Sequence, residues 1–184
     1  DEHEINKVRS DLDETISLTR KNFSILSHGL TNLEQALERS VKELTDLATP
    51  EYKTFSTGGD TSIDLPFQQV GVTPLNYTIL KGASLEFTAE RDGYAICDYS
   101  SYTDTECDDC QIYIAPFIDG VQAVYEQPDS PLIAESHFGY TINFPFTKGH
   151  HTLTTGLALV GTGDGPLHLN MPGGFVAYCN FYGL

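Results

Sequence analysis

The chain has 184 residues, with 10 lysine and arginine residues against 26 aspartate and glutamate residues and a formal net charge of -16. Such an anionic chain repels the phosphates of nucleic acids, so nucleic-acid binding is not expected. Anionic membrane surfaces are disfavoured for the same reason. No stretch approaches the roughly 20 apolar residues of a membrane span, so membrane insertion is not expected either.

The first part of the chain follows the period of an α-helix. Apolar residues recur at steps of three and four, and the spacing is strictly heptad from Phe23 to Leu37. Most intervening positions are polar, so the apolar stripe is narrow and one helix cannot bury it alone. We therefore predict a coiled-coil stalk over residues 1–49. Its stripe residues are Ile5, Val8, Leu12, Phe23, Leu26, Leu30, Leu33, Leu37 and Leu44.

The alternative is a single amphipathic helix that packs against the rest of the chain. At 1.5 Å per residue the helix would be roughly 65 Å long, which is longer than a small β domain is wide. The helical pattern ends at Pro50, because proline disfavours helical geometry in the residue before it. Residues 50–60 contain Gly58 and Gly59 and are predicted to form a linker.

From residue 61 onward the apolar period changes to two. Glycine, proline, aspartate and asparagine separate roughly nine short runs, and no helical segment lies between them. Asp119 and Gly120, placed between two alternating runs, predict a β-hairpin. Residues 61–184 are therefore predicted to form an all-β head, a sandwich or barrel.

Two features favour association of three copies. The stripe mixes leucine and isoleucine at its two heptad positions and lacks the isoleucine–leucine alternation that is typical of parallel dimers. The final segment, 173–182, is rich in aromatic residues, which indicates either core or a seam between subunits.

The head resembles the TNF/C1q-like jelly rolls and the similar trimeric heads of bacteriophage and viral fibres. The segments that carry the resemblance are Asp92–Ile96, Ile112–Gly120, Gly149–Leu153 and Gly174–Tyr178. The resemblance implies an antiparallel jelly-roll β-sandwich on a stalk, assembled as a homotrimer. It also implies that the last strand is central in its sheet and lies near a threefold axis. No receptor or calcium site carries over residue by residue.

The four cysteines allow three complete pairings, and the sequence does not choose among them. At least one structural disulfide is predicted, with free thiols as the alternative. A zinc site is disfavoured, because four-thiolate zinc sites use two CxxC pairs and this chain has one. The cysteines are Cys97, Cys107, Cys110 and Cys179.

Segment 98–109 is predicted to be an acidic loop that contacts a partner or receptor. Tyrosine and serine supply rigid contact area and adaptable hydrogen bonds in binding loops. The predicted contact residues are Tyr99, Ser101, Tyr102, Asp104 and Asp108. The carboxylates are also a candidate Ca²⁺ site, with a solvated loop as the alternative, and no other cofactor is expected. His150 and His151 are a candidate metal site on a threefold axis, or an ordinary turn pair.

No motif of a hydrolase elbow, phosphate loop or zinc protease is present, so an enzyme is not expected. We predict a structural and adhesive virion protein, a fibre or spike, at the virion surface or otherwise extracellular. A capsid or tail protein would bind its N-terminal end, and a host-surface glycan or protein would bind its head. The alternatives are a secreted C1q/TNF-like receptor ligand and a glycan-degrading β-fold enzyme, whose paired carboxylates could converge from distant positions.

Overall fold

The computed structural model describes residues 1–69, 71, 74–107, 109–124, 130–131 and 136–184. The chain divides into two compact units, Asp1–Thr45 and Asp46–Leu184. Among the described residues, no helix is both long and apolar enough to cross a membrane.

The first unit is helical throughout, as predicted. A single helix, α1, runs from Glu2 to Ala48 and therefore ends just before Pro50. Asp1 caps it, because its side-chain oxygen accepts a hydrogen bond from the His3 amide at 3.0 Å. All residues of α1 are described, and none of them is buried. The helix is confirmed, and its apolar stripe is not buried by any part of the chain that the structure describes.

The second unit is a β-sandwich, as predicted, and its described strand pairs are antiparallel except for one short parallel pair. Its strands, among the described residues, are β1 (Glu51–Ser56), β2 (Thr61–Leu65), β3 (Phe67–Gln68), β4 (Thr78–Ala89), β5 (Gly93–Thr103), β6 (Gln111–Ile118), β7 (Val121–Gln122), β8 (Ser130–Pro131), β9 (Ser136–Phe146), β10 (Gly149–Val160), β11 (Leu167–Met171) and β12 (Phe175–Tyr182).

Two sheets form the layers of the sandwich. The first has the strand order β1–β12–β5–β9, with every neighbour antiparallel. The second has the order β3–β10–β6–β7, and β4 and β8 pair additionally with β10 and β6. Strands β2 and β11 form a separate pair. The last strand, β12, lies between β1 and β5, so its central place in the sheet agrees with the resemblance.

Strand β12 shows how the core is built. Its alternate residues Phe175, Ala177, Cys179 and Phe181 are fully buried, while the residues between them face outward. The Phe181 ring lies 4.9 Å from the ring centroid of Phe87 on β4, which belongs to the opposite sheet. One face of the aromatic final segment therefore packs into the core of the sandwich, and the other face points outward.

The predicted linker over residues 50–60 is wrong for its first part. Glu51–Ser56 is strand β1, which pairs with β12 from Glu51 against Phe181 to Ser56 against Val176. Phe55 is the one residue of β1 that is buried. An edge strand with a single buried side chain leaves almost no period in the sequence, and its lysine and glutamate imitate a solvated linker. Gly58, at φ 79°, forms the turn that follows.

The predicted hairpin is confirmed. Asp119 and Gly120 have φ values of 51° and 79°, which is the type I′ geometry that two-residue hairpins favour. They join β6 to β7, with Ile118 opposite Val121. We call this end of the sandwich the hairpin end. Strand β1 also begins at this end. Just before it in the chain, the Asp46 carboxylate lies 2.8 Å from the Arg91 guanidinium. The opposite end is the loop end.

The four cysteines form two disulfides. Cys97 and Cys179 are directly opposite each other on β5 and β12, with their Cα atoms 4.1 Å apart, and both are fully buried. Cys107 and Cys110 are joined within the loop between β5 and β6. The first bridge ties the C-terminal strand to the middle of the chain.

We expect the double replacement Cys97→Ala and Cys179→Ala to lower the free energy of unfolding by about 2–4 kcal/mol. The bridge spans a sequence separation of 82 residues, so its loss restores much conformational freedom to the unfolded chain. Chemical denaturation at fixed protein concentration measures the change.

The matched control is the double replacement Cys107→Ala and Cys110→Ala, whose bridge has a sequence separation of 3 residues. Its loss should be clearly smaller, because a short loop closes at little entropic cost. Equal losses from the two pairs would contradict the explanation from loop length.

Candidate functional site

The loop end of the sandwich gathers several exposed carboxylates of the head. Strand β5 ends there at Thr103, β10 ends at Val160, and the loops 104–110 and 161–166 leave side by side, since Val160 pairs with Gln111. We call the exposed carboxylates of this region the acidic loop-end surface. Its members are Asp60, Asp104, Glu106, Asp109 and Asp164.

Loop 104–110 is held at its start by strand β11. The Thr103 hydroxyl donates to the Asn170 carbonyl at 2.7 Å, and the Asn170 amide donates to the Thr105 hydroxyl at 2.9 Å. The Asn170 side-chain amide reaches both carboxylate oxygens of Asp104, at 3.0 and 3.2 Å. Asn170 therefore fixes the direction of the Asp104 carboxylate.

The same loop is held at its end by a disulfide and by a second hydrogen bond. Cys107 bonds to Cys110, which is buried beneath the loop. The Thr162 hydroxyl donates to the Asp109 carboxylate at 2.9 Å, and so joins the two neighbouring loops. These contacts keep the carboxylates of Asp104 and Asp109 in place before any ligand arrives, which reduces the entropy lost on binding.

A polar groove of about 550 Å³ lies beside this loop. The Gln68 side chain is fixed on one wall, because it donates to the Asn76 carbonyl at 2.7 Å and accepts from the Asn76 amide at 2.8 Å. The groove combines an aromatic ring, amide groups and a carboxylate, which are the groups that recognise small polar ligands. Its lining is Phe67, Gln68, Gln69, Gly161, Thr162, Gly163 and Asp164.

The predicted contact loop over 98–109 begins later than expected, because residues 98–103 belong to β5. Tyr99 and Ser101 point into the sandwich and are buried, so their predicted role as contact residues is wrong. Burial raises the pKa of the Tyr99 phenol above its usual range. Buried and outward-facing residues alternate along this segment, as in any strand. The prediction of a loop came from its tyrosines, serines and acidic residues, which are also typical of binding loops.

The remaining predicted contact residues have different positions. Tyr102 is half-buried, and its ring centroid lies 5.2 Å from that of His137 on β9. Asp104 is exposed on the acidic loop-end surface. Asp108 lies outside the described residues. The side chains that hold the loop, Asn170 and Thr162, come from distant parts of the chain and carried no recognisable signal in the sequence.

The geometry bears on two of the candidate metal sites. Among the described residues, Cys107, Asp109 and Cys110 place potential ligand atoms within 4.8 Å of one another. The two sulfurs are joined as a disulfide, however, and a metal site would need free thiolates. Both ring nitrogens of His151 are hydrogen-bonded, to the Asp119 carboxylate and the Thr147 carbonyl, each at 2.7 Å. Each nitrogen of the His151 ring therefore faces a protein oxygen at hydrogen-bond distance, and not an open position for a metal.

No protein-family model matches the chain, and no curated protein matches it. Solved structures match it in fold. The VP2 protein of infectious bursal disease virus, in a subviral particle, is similar with a TM-score of 0.51 at 11% identity, over 73% of this chain and 33% of that chain. The infectious bursal disease virus Gx strain structure gives a TM-score of 0.49 at 12% identity, with the same coverage.

A CBM36-1 domain of a multidomain xylanase, from the hindgut metagenome of Trinervitermes trinervoides, gives a TM-score of 0.37 at 14% identity. It matches over 70% of this chain and 96% of that chain. The present chain spans about a third of the length of the viral chains that it matches. At such low identity the similarity shows the fold alone, and the VP2 subviral-particle structure matches with a TM-score above 0.5. The chain therefore has a β-sandwich like one found in a viral structural protein.

Proposed function

We propose that this chain is one subunit of a homotrimeric fibre or spike on the surface of a virus particle. In this proposal the α1 helices of three copies form a coiled-coil stalk, and three jelly-roll heads contact the host surface. The observation that carries the proposal is a helix of 47 residues in which no side chain is buried.

The stripe of α1 supports the stalk. Leu26, Leu33 and Leu44 are each more than two-thirds exposed in the single chain, as Phe23 is. Burying such a side chain fully contributes roughly 1.5–3 kcal/mol, so a row of them strongly favours association. From Phe23 to Leu37 the heptad spacing matches the seam of a coiled coil.

The number of copies is argued from the stripe and from the head. Leucine occupies both heptad positions between Leu26 and Leu37, which is not the pattern of parallel dimers. The outer face of the sheet β1–β12–β5–β9 carries the exposed side chains Tyr52, Tyr94 and Tyr178. Exposed aromatic clusters are typical of protein interfaces, so this sheet face suits a seam between heads.

The acidic loop-end surface supports contact with the host. The chain enters the sandwich at the hairpin end, where β1 begins, and the loop end is the opposite end of the same unit. Its loop is fixed by Asn170, Thr162 and a disulfide, and a polar groove lies next to it. Three copies of one weak site would bind with useful avidity. We place a capsid or tail protein at the N-terminal end of α1.

Two other functions remain candidates, each with an observation in its favour. Two disulfides suit an extracellular protein, so a secreted C1q/TNF-like receptor ligand is the first. The groove carries Asp164 and lies beside Asp109, so a glycan-degrading enzyme is the second. The shared fold with VP2, which was solved as a subviral particle, favours a virion protein over both.

Light scattering after size exclusion should give about three times 20.3 kDa at micromolar concentration. The double replacement Leu30→Glu and Leu33→Glu should reduce the mass to that of one chain, because burying unpaired carboxylates in the stripe costs several kcal/mol. The β-type circular dichroism of the head should remain, since it is a separate compact unit.

The matched control is Thr31→Glu with Gln35→Glu, which adds the same charge at positions outside the stripe and should leave the mass unchanged. A monomeric wild-type chain would contradict the proposal. So would a stripe variant that keeps the wild-type mass.

Binding to a glycan array and to a panel of cell surfaces tests the role of the head. Because the loop end is acidic, we expect neutral or amine-bearing ligands to bind better than sialylated or sulfated ones. The replacement Asp164→Lys should weaken the binding by at least about tenfold, the effect of losing roughly 1.4 kcal/mol.

Glu86→Lys is the control, because it makes the same charge reversal at an exposed position on β4, away from the loop end. Equal losses in the two variants would show that net charge, and not the groove, governs attachment. Absence of binding to every surface would contradict the adhesive role. Release of reducing sugars from a bound glycan would favour the enzyme instead.

A further inference from the structure

The hairpin end contains a histidine that joins two turns. His151, near the start of β10, is buried, and its side chain lies between the Asp119–Gly120 turn and the turn that leads from β9 into β10. Its Nδ1 atom is 2.7 Å from Oδ2 of Asp119, and its Nε2 atom is 2.7 Å from the carbonyl oxygen of Thr147. One imidazole ring thus bridges the β6–β7 hairpin and the β9–β10 turn.

The two closest partners of this ring, the Asp119 carboxylate and the Thr147 carbonyl, are both hydrogen-bond acceptors. The Thr147 hydroxyl lies farther from Nε2, at 3.4 Å. A neutral imidazole has one N–H donor and can satisfy only one of the two closest partners, whereas an imidazolium has two donors and satisfies both. The ring is also in contact with Phe87, at a centroid distance of 5.4 Å, and an aromatic face tolerates a cation well. The arrangement is complementary to the protonated histidine.

Asp119 is fixed so that it holds the ring. Its Oδ1 atom accepts a hydrogen bond from the Thr152 amide at 2.8 Å, and its own amide donates to the Thr152 carbonyl at 2.9 Å. One carboxylate oxygen is therefore hydrogen-bonded to the backbone of β10, and the other is hydrogen-bonded to the His151 ring. We refer to Asp119, His151 and Thr147 together as the histidine clasp.

We propose that the histidine clasp is a pH-sensitive lock, which fastens the β6–β7 hairpin to the β9–β10 turn while His151 is protonated and loosens it when the proton is lost. An apolar cavity of about 410 Å³ is lined by residues next to both turns. Ile118, Val121 and Ala123 come from the β6–β7 hairpin and its flank, and Pro145, Phe146 and Thr147 come from the end of β9 and the turn after it.

The other charged groups near the clasp lie on neighbouring elements. His150 has its Nδ1 atom 2.9 Å from the Thr88 hydroxyl of β4, and its electrostatic interaction with Asp119 is a minor cause of the lowered pKa of that carboxyl. Lys148 is in the β9–β10 turn, and its amide donates to the Asp92 carboxylate at 2.8 Å. The rings of Phe87, Phe146 and Phe181 carry no charge. Among the described residues, Asp119 is the carboxylate in hydrogen-bond contact with the ring.

The pH range follows from the direction of each shift. The hydrogen bond to Asp119 raises the pKa of His151 above its usual value of 6.5, so this stabilisation is complete below pH 6.5 and is lost as the pH rises through the raised value. The hydrogen bond to His151 lowers the pKa of Asp119 below 3.8, so its contribution is complete above pH 3.8 and is lost as the pH falls through the lowered value. The clasp is fully formed between these limits.

Two measurements on the full-length chain test the proposal. An NMR titration of the His151 ring should give a midpoint above 6.5. Hydrogen exchange, expressed as protection relative to the intrinsic rate, should show that the Asp119 and Thr152 amides lose protection as the pH rises through that midpoint. We expect a loss of roughly threefold to tenfold, the range of one hydrogen bond.

His151→Gln should abolish the pH dependence of this protection. Asp119→Asn keeps the size of the side chain, removes its charge and should lower the midpoint of His151, which provides a test if His151→Gln does not fold. His168→Gln is the matched control, because it removes an exposed His–Asp pair of the same 2.7 Å distance and should leave the hairpin-end protection as it is. A midpoint at or below 6.5, or the same pH dependence in His151→Gln as in the wild type, would overturn the proposal.

Discussion

The apolar stripe of α1 is the constraint on which the proposed assembly of this chain depends. A helix of 47 residues with no buried side chain is not stable in water through its own packing. Its leucines are stable only if another apolar surface buries them. Other copies of the same helix, with the same heptad spacing, can provide that surface. The head has no such requirement, since its two sheets cover each other. In the proposed trimer, assembly is therefore a property of the helix, and contact with other molecules is left to the head.

Much of the fold could be predicted from the period of apolar residues. The helix follows steps of three and four, and the Asp119–Gly120 hairpin follows from two residues that tolerate positive φ. The errors arise where period and composition disagree. Strand β1 buries Phe55 alone, so it looked like a linker, and β5 carries tyrosines and serines on both faces, so its second half looked like a loop. In each case the pairing with β12 decides the structure, and pairing is not visible in a local pattern.

The site was predictable in part. Clustered carboxylates between β5 and β6 marked the region, and Asp104 is exposed there. The side chains that fix its geometry are Asn170 and Thr162, which are more than fifty residues away in sequence. The histidine clasp was hidden for the same reason, because His151 meets Asp119 only after β6 and β10 have paired. Residues that act through tertiary contacts carry no signal of their own in a single sequence.

The placement of β1 has a mechanical consequence. This strand begins at the hairpin end, immediately after the helix, and its six residues pair antiparallel with β12. A pull applied between Glu51 and the loop end acts along the strand, so it loads all of these backbone pairs at once, in shear, instead of peeling them apart one after another. The strand that carries the load, β12, is covalently tied to β5 by Cys97 and Cys179. A tether that holds a particle against flow would resist detachment best with its first strand arranged in this way.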